Sequence, residues 1–137
     1  RRALKYMIPQ EHGRIMSVSS MYGKVVLATQ APYCTTKHAL NGLTKVVAQE
    51  VGTLGITVNA LCPGGILTDI MQEQGPAAAE QLGLSFEDFL TMMQAPSAIK
   101  RMNTVEDCAL VAVLLASEAG AGITGSLISI DGGQSPY

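Results

Sequence analysis

Tryptophan is absent, phenylalanine occurs twice and tyrosine four times, so aromatic residues make up only 4% of the 137 residues. Apolar residues nevertheless reach 47%. An interior this rich in aliphatic side chains suits buried parallel strands, which read as continuous apolar runs. Charge is equally scarce, at 15% of residues with a formal net charge of −2. That excludes the basic footprint expected of a nucleic-acid or anionic-membrane binder. Long apolar runs are missing too. The longest, Cys108 to Ala116, falls well short of the ~20 residues of a membrane-spanning helix. The Arg1-Arg2 start is followed by neither an apolar region nor a cleavage site, so it does not read as a twin-arginine signal. Linkers, repeats and low-complexity tracts are absent, and the length suits one domain.

Three cysteines, Cys34, Cys62 and Cys108, are odd in number, widely spaced and set in apolar surroundings. They read as free, mostly buried thiols of a reducing, cytoplasmic compartment. Cys34, beside Tyr33, is expected to be the more accessible. A nucleophilic thiol would want a partnering histidine, and His38 reads as an ordinary helix residue. No metal is expected.

What is present alternates between strand and helix. A strand over Arg14 to Ser19 ends at Ser20, and a loop through Gly23 to Gln30 leads to Pro32, a suitable first-turn residue for a helix. Along that helix Leu40, Leu43, Val47 and Val51 recur at helical spacing, facing the sheet or a partner subunit. Gly55 precedes a strand over Ile56 to Leu61. The stretch after Pro63-Gly64, through Gly75-Pro76, reads as irregular. Capping patterns then open two helices, one at Ser85 running through Met92 and Met93, the other at Thr104 ending near Ser117. A last strand spans Ser126 to Ile130. The alternation predicts an α/β fold with a parallel sheet and ligands at the carboxyl ends of its strands. Gly120-Ala121-Gly122-Ile123-Thr124-Gly125 satisfies G-x-G-x-x-G, but a helix precedes it and a strand follows. The dinucleotide fingerprint needs the reverse order, so this segment reads as a helix-to-strand connection.

The chemistry concentrates in Tyr33 and Lys37, a Y-x-x-x-K pair, with Ser20 thirteen residues before Tyr33. Residues four apart share a helix face, so the Lys37 ammonium can lie beside Tyr33. A phenol ordinarily titrates near ~10, and a fixed positive charge close by favours its phenolate. Ser20 would add a neutral hydrogen bond to the same substrate oxygen. The pair alone occurs on many solvated helix faces; its company is what carries weight. A strand precedes Ser20, and Val58-Asn59-Ala60-Leu61-Cys62-Pro63-Gly64-Gly65-Ile66-Leu67-Thr68-Asp69 follows at the next strand end.

Together these motifs resemble the short-chain dehydrogenase/reductase family in its classical form, from Gly13-Arg14-Ile15 through Ile130-Asp131-Gly132-Gly133. The resemblance implies that Ser20, Tyr33 and Lys37 carry catalysis, with Ser19 one residue out of register. It implies a nicotinamide cofactor, NAD or NADP, contacted by Tyr33, Lys37 and the Pro63, Gly64, Ile66 and Thr68 loop. It implies a homodimer or homotetramer. The family's opening strand, glycine-rich turn and N-N-A-G motif have no counterpart here. The chain is therefore expected to be the C-terminal half of a doubly wound Rossmann-type domain, cropped or naturally truncated.

The expected reaction is hydride exchange between the cofactor and a carbonyl or secondary alcohol, with Tyr33 as general acid/base. Substrate identity would reside between Met71 and Arg101, an irregular segment acting as a lid. Tyr22, Gln30 and Met92 are candidate substrate contacts; Met92 and Met93 read equally as core or interface methionines. Analogy favours a small oxo or hydroxy compound. The alternative is a catalytically silent, dehydrogenase-like assembly module.

Overall fold

The computed structural model describes residues 2–135. Three strands, β1 (Gly13–Val18), β2 (Ile56–Pro63) and β3 (Leu127–Ile130), form a parallel sheet in that order. Five helices flank it: α1 (Leu4–Met7), α2 (Ala31–Val51), α3 (Asp69–Gln81), α4 (Phe86–Gln94) and α5 (Val105–Ala116). The short helix α1 precedes β1, and Arg1 lies outside the described residues.

β2 explains the aliphatic composition. As the middle strand it is covered on both faces, and Ile56 through Cys62 are all buried. Ala48 and Val51 of α2 pack with Ile56 and Val58, joined by Leu4, Met7, Ile15, Val47 and Leu54. β1 and β3 flank β2, and Val18 of β1 is 64% exposed.

Pro32 stands in the first turn of α2, as its fixed φ and missing N–H favour. The stripe that α2 turns inward is Cys34, Asn41, Thr44, Ala48 and Val51, at steps of seven, three, four and three. This corrects one expectation: Cys34 is buried rather than accessible. Of the apolar residues expected to face the sheet or a partner subunit, Val51 is buried in this stripe and Leu43 is exposed. Two polar residues take inward positions because each has a partner. Thr44 Oγ1 donates back to the Leu40 carbonyl at 2.9 Å, and Asn41 Nδ2 donates to the Gly23 carbonyl at 2.8 Å.

The stretch through Gly75-Pro76, expected to be irregular, holds a helix instead, α3, while the helix expected at Ser85 is α4. Thr68 Oγ1 accepts from the Met71 N–H at 3.3 Å and opens α3, which runs through Gly75-Pro76. Pro76 removes only its own N–H from the helix ladder, and the alanines after it restore propensity. Ser85 caps α4, accepting from the Asp88 N–H at 3.0 Å. At α5 the reciprocal box is complete: Thr104 Oγ1 accepts from the Asp107 N–H while Asp107 accepts from the Thr104 N–H. Gly120–Gly125 lies between α5 and β3, as its context in the sequence implies.

Gly55 makes the turn into β2 at φ +69°, and a Cβ there would stand 2.0 Å from the Glu11 carbonyl oxygen. Gly55→Ala is therefore expected to destabilise the protein by ~2 kcal/mol or more, from left-handed strain plus a backbone overlap. A urea midpoint unchanged from wild type would contradict this.

Candidate active site

At the carboxyl end of β1 the chain passes from Val18 through Ser19 and Ser20, both buried, into a short 3-10 turn over Met21–Gly23. Ser20 caps that turn, its Oγ accepting from the Tyr22 N–H at 3.1 Å. The two adjacent serines have different tasks. Ser19 Oγ donates to the backbone carbonyl of Lys37 at 3.3 Å, which commits it to holding α2. The other tie between turn and helix is Asn41, whose bond to the Gly23 carbonyl needs a close approach. A Cβ on Gly23 would lie 2.6 Å from Asn41 Nδ2.

Tyr33 and Lys37 stand on the first two turns of α2, as their spacing requires. The Lys37 ammonium donates to the Val18 carbonyl at 3.0 Å and sits 5.5 Å from the centroid of the Tyr33 ring. This is a fixed cation over an aromatic face, anchored to the end of β1. The Tyr33 side of the cluster is open, the residue being 42% exposed. Tyr22 meets Tyr33 edge-on, with centroids 6.5 Å apart and ring planes at 75°. Burial, followed by the neighbouring Cys34 and Tyr33, pushes the Tyr22 phenol above its ordinary range. Ser20, Tyr22, Tyr33 and Lys37 thus gather at one strand end. They are two phenols, an ammonium and a hydroxyl.

The second strand end lies beside the first, since Val18 pairs with Leu61 and β2 continues to Pro63. The Gly64 N–H donates to the Ile130 carbonyl at 2.9 Å, the Gly65 carbonyl accepts from the Asn103 N–H at 3.0 Å, and Ile66 bridges Asn103. Thr68 then caps α3, so the first turn of that helix follows the loop directly. Gln30 is exposed, just before α2, and Met92 is exposed on α4. The methionines that reach the loop are Met93 and Met102, whose methyl groups lie 3.5 Å and 2.8 Å from a Cβ placed on Gly65.

Three polar residues near the site escaped the sequence reading. Asn41 had a signal, standing one turn after Lys37 on α2. Asn103, which donates its side-chain amide to the Ile130 carbonyl, had none. Asp131 had only its place beside two glycines. Its carboxylate accepts from the Gly133 N–H at 2.9 Å, the Ser135 N–H at 3.0 Å and the Ser135 hydroxyl. Burial alone would raise its pKa, but these bonds together hold it below the ordinary aspartate range.

A family model described as enoyl-(acyl carrier protein) reductase matches residues 1–135. The chain belongs to the short-chain dehydrogenase/reductase family. D-beta-hydroxybutyrate dehydrogenase of Rhizobium meliloti (strain 1021) is 38% identical over 134 residues, covering 97% of this chain and 52% of the relative. The 3-oxoacyl-(acyl-carrier-protein) reductase of Rickettsia prowazekii (strain Madrid E) is 35% identical over 134 residues, covering 98% and 51%. Among solved structures, a variant of actinorhodin polyketide ketoreductase with NADPH superposes with a TM-score of 0.92 at 29% identity, covering 99% of this chain and 53% of that one. The chain spans about half the length of the curated relatives it matches. The Rossmann-type α/β reading of the sheet agrees with these short-chain dehydrogenase/reductase structures. Among the described residues no helix is long and apolar enough to cross a membrane.

A pH prediction follows from Asp131. Its folded pKa is depressed, so its contribution to stability is fully present above the unfolded value of ~3.9 and is lost as pH falls through the lower folded value. Asp131→Asn is expected to lower the urea midpoint at neutral pH and to flatten the acid side of the stability curve. An acid limb as steep as that of wild type would contradict the assignment.

Proposed function

We propose that this chain carries the catalytic half of an NAD(P)-dependent oxidoreductase that interconverts a small carbonyl compound and the corresponding secondary alcohol. The observation that carries the reading is the Lys37 ammonium, fixed by the Val18 carbonyl at 3.0 Å and lying 5.5 Å from the centroid of the exposed Tyr33 ring. Tyr33 is the general acid/base, giving a proton to the carbonyl oxygen in reduction and taking it back in oxidation. Lys37 keeps positive charge beside that phenol, and Ser20, at the end of β1, hydrogen-bonds the same oxygen.

A nicotinamide dinucleotide fits the donor set, and the NADPH of the superposed ketoreductase supports it. Tyr33 and Lys37 would hold the nicotinamide riboside, and Pro63, Gly64, Ile66 and Thr68 its carboxamide and nearest phosphate, where the first-turn amides of α3 favour an anion. When bound, it supplies or accepts the hydride. The strand, glycine turn and helix that would hold its adenosine end have no counterpart in this sequence, so we read the chain as part of a longer Rossmann-type domain. Tyr22, Gln30 and Met92 are the proposed substrate contacts, with α3 and α4 as the cover. The hydroxybutyrate and 3-oxoacyl relatives support a small 3-hydroxy or 3-oxo compound. Buried free thiols at Cys34 and Cys62 support a reducing, cytoplasmic setting.

A second reading, assembly without chemistry, rests on exposed apolar side chains. Leu43 and Val46 on α2 are more than half exposed, as are Leu110 and Val113 on α5. The same faces would serve a homodimeric or homotetrameric enzyme. One experiment separates the two readings: cofactor-dependent turnover of a 3-oxo ester, measured on the polypeptide in the length its source makes. Tyr33→Phe is expected to lower kcat by about 10²–10⁴-fold and Ser20→Ala by about 10²–10³-fold, with circular dichroism unchanged. No turnover in wild type would overturn the enzyme reading in favour of assembly, and measurable turnover equal in wild type and Tyr33→Phe would overturn the role given to Tyr33.

A further inference from the structure

One polar chain runs between distant parts of the fold. Lys24, the residue after the Met21–Gly23 turn, donates from Nζ to Ser129 Oγ on β3 at 2.7 Å. Ser129 Oγ is 2.9 Å from Ser135 Oγ, and the Ser135 hydroxyl donates to Asp131. Each hydroxyl has one proton to give, so the direction is forced. Ser135 spends its proton on Asp131, Ser129 must donate to Ser135, and the ammonium supplies Ser129. The chain therefore runs from a cation to a carboxylate through two hydroxyls, every donor meeting an acceptor, an arrangement in which neighbouring bonds strengthen one another. It crosses 105 positions of sequence between Lys24 and Ser129. The charge is felt below the turn too. Burial raises the pKa of the Cys62 thiol, and Lys24 is the largest influence opposing that rise.

The turn is thus clamped from two directions. Asn41 of α2 holds the Gly23 carbonyl from one side, and Lys24 fastens the next residue to β3 on the other. Between the clamps and β1 stand Ser20, which caps the turn, and Tyr22, which lies against Tyr33. We propose that Lys24 is a positioning residue for the reaction, fixing the Met21–Gly23 turn to β3 through Ser129, Ser135 and Asp131 so that Ser20 and Tyr22 keep their places beside Tyr33. This deepens the proposed oxidoreductase activity and rests on it.

Two readouts on the native-length protein test it separately. Hydrogen exchange in peptides covering 19–26 reports whether Lys24 holds the turn, independent of activity. Lys24→Met and Ser129→Ala are each expected to speed exchange there several-fold while leaving β2 peptides unchanged. Steady-state kinetics then report whether that hold matters. Each variant is expected to lower kcat by roughly 10- to 100-fold, the scale of a ~1 Å misplacement, with cofactor KM unchanged. The double variant should be no worse than either single one, and Lys24→Arg should recover part of kcat. Unchanged exchange in 19–26 overturns the proposal whatever the kinetics. Faster exchange with unchanged kcat, in a protein whose turnover Tyr33→Phe abolishes, overturns it while sparing the oxidoreductase reading. Turnover indifferent to Tyr33→Phe would sink the role given to Tyr33 and this proposal together.

Discussion

The reciprocal tie between the end of β1 and the first turns of α2 is the constraint on which the candidate site depends. Lys37 donates its ammonium to the Val18 carbonyl, and Ser19 donates its hydroxyl to the Lys37 carbonyl. One residue thereby holds a strand end through both its side chain and its backbone. Val18 closes an outer strand of the described sheet, where order must come from such bonds as well as from the ladder to β2. Asn41 extends the tie to Gly23, so strand end, turn and helix are bonded to one another. Ser20 stands at the strand-end side of that tie and Tyr33 on its helix.

The sheet supplies the second requirement, a common end for the reactive groups. All three strands are parallel, so their carboxyl ends, and the loops that leave them, lie together. β2 is covered on both faces and is the rigid axis; its neighbours bring Ser20 from one side and Ile130-Asp131 from the other. Gly64 and Asn103 both bond the Ile130 carbonyl, which ties the loop that would meet a nicotinamide to the end of β3. The proposed chemistry asks of the protein a proton donor, a charge beside it and a fixed orientation. Lys37, bonded to the end of β1 and lying against the Tyr33 ring, is the part of that arrangement the framework holds.

Much of this was legible in local patterns. The spacing of Tyr33 and Lys37 needs only the period of a helix, and the caps at Ser85 and Thr104 need only four residues each. α3 was not legible, because Gly75-Pro76 reads as a break while the Thr68 cap and the alanines that outweigh it are individually weak. The inward stripe of α2 was legible only in part, because apolar periodicity finds Val51 but not the polar residues of the stripe. Asn41 and Thr44 occupy inward positions through hydrogen bonds, one of them to a carbonyl 18 residues away. The network of Lys24, Ser129, Ser135 and Asp131 spans most of the chain, and no local pattern signals it.

The central claim is that Lys37 assists the reaction through Tyr33. A double-mutant cycle on kcat at saturating cofactor, with Lys37→Met and Tyr33→Phe singly and together, tests it most directly. The account predicts strong non-additivity: Lys37→Met costs a large factor when Tyr33 is present and little once it is phenylalanine. Costs that simply multiply would mean that lysine and tyrosine act independently, and the account would be wrong.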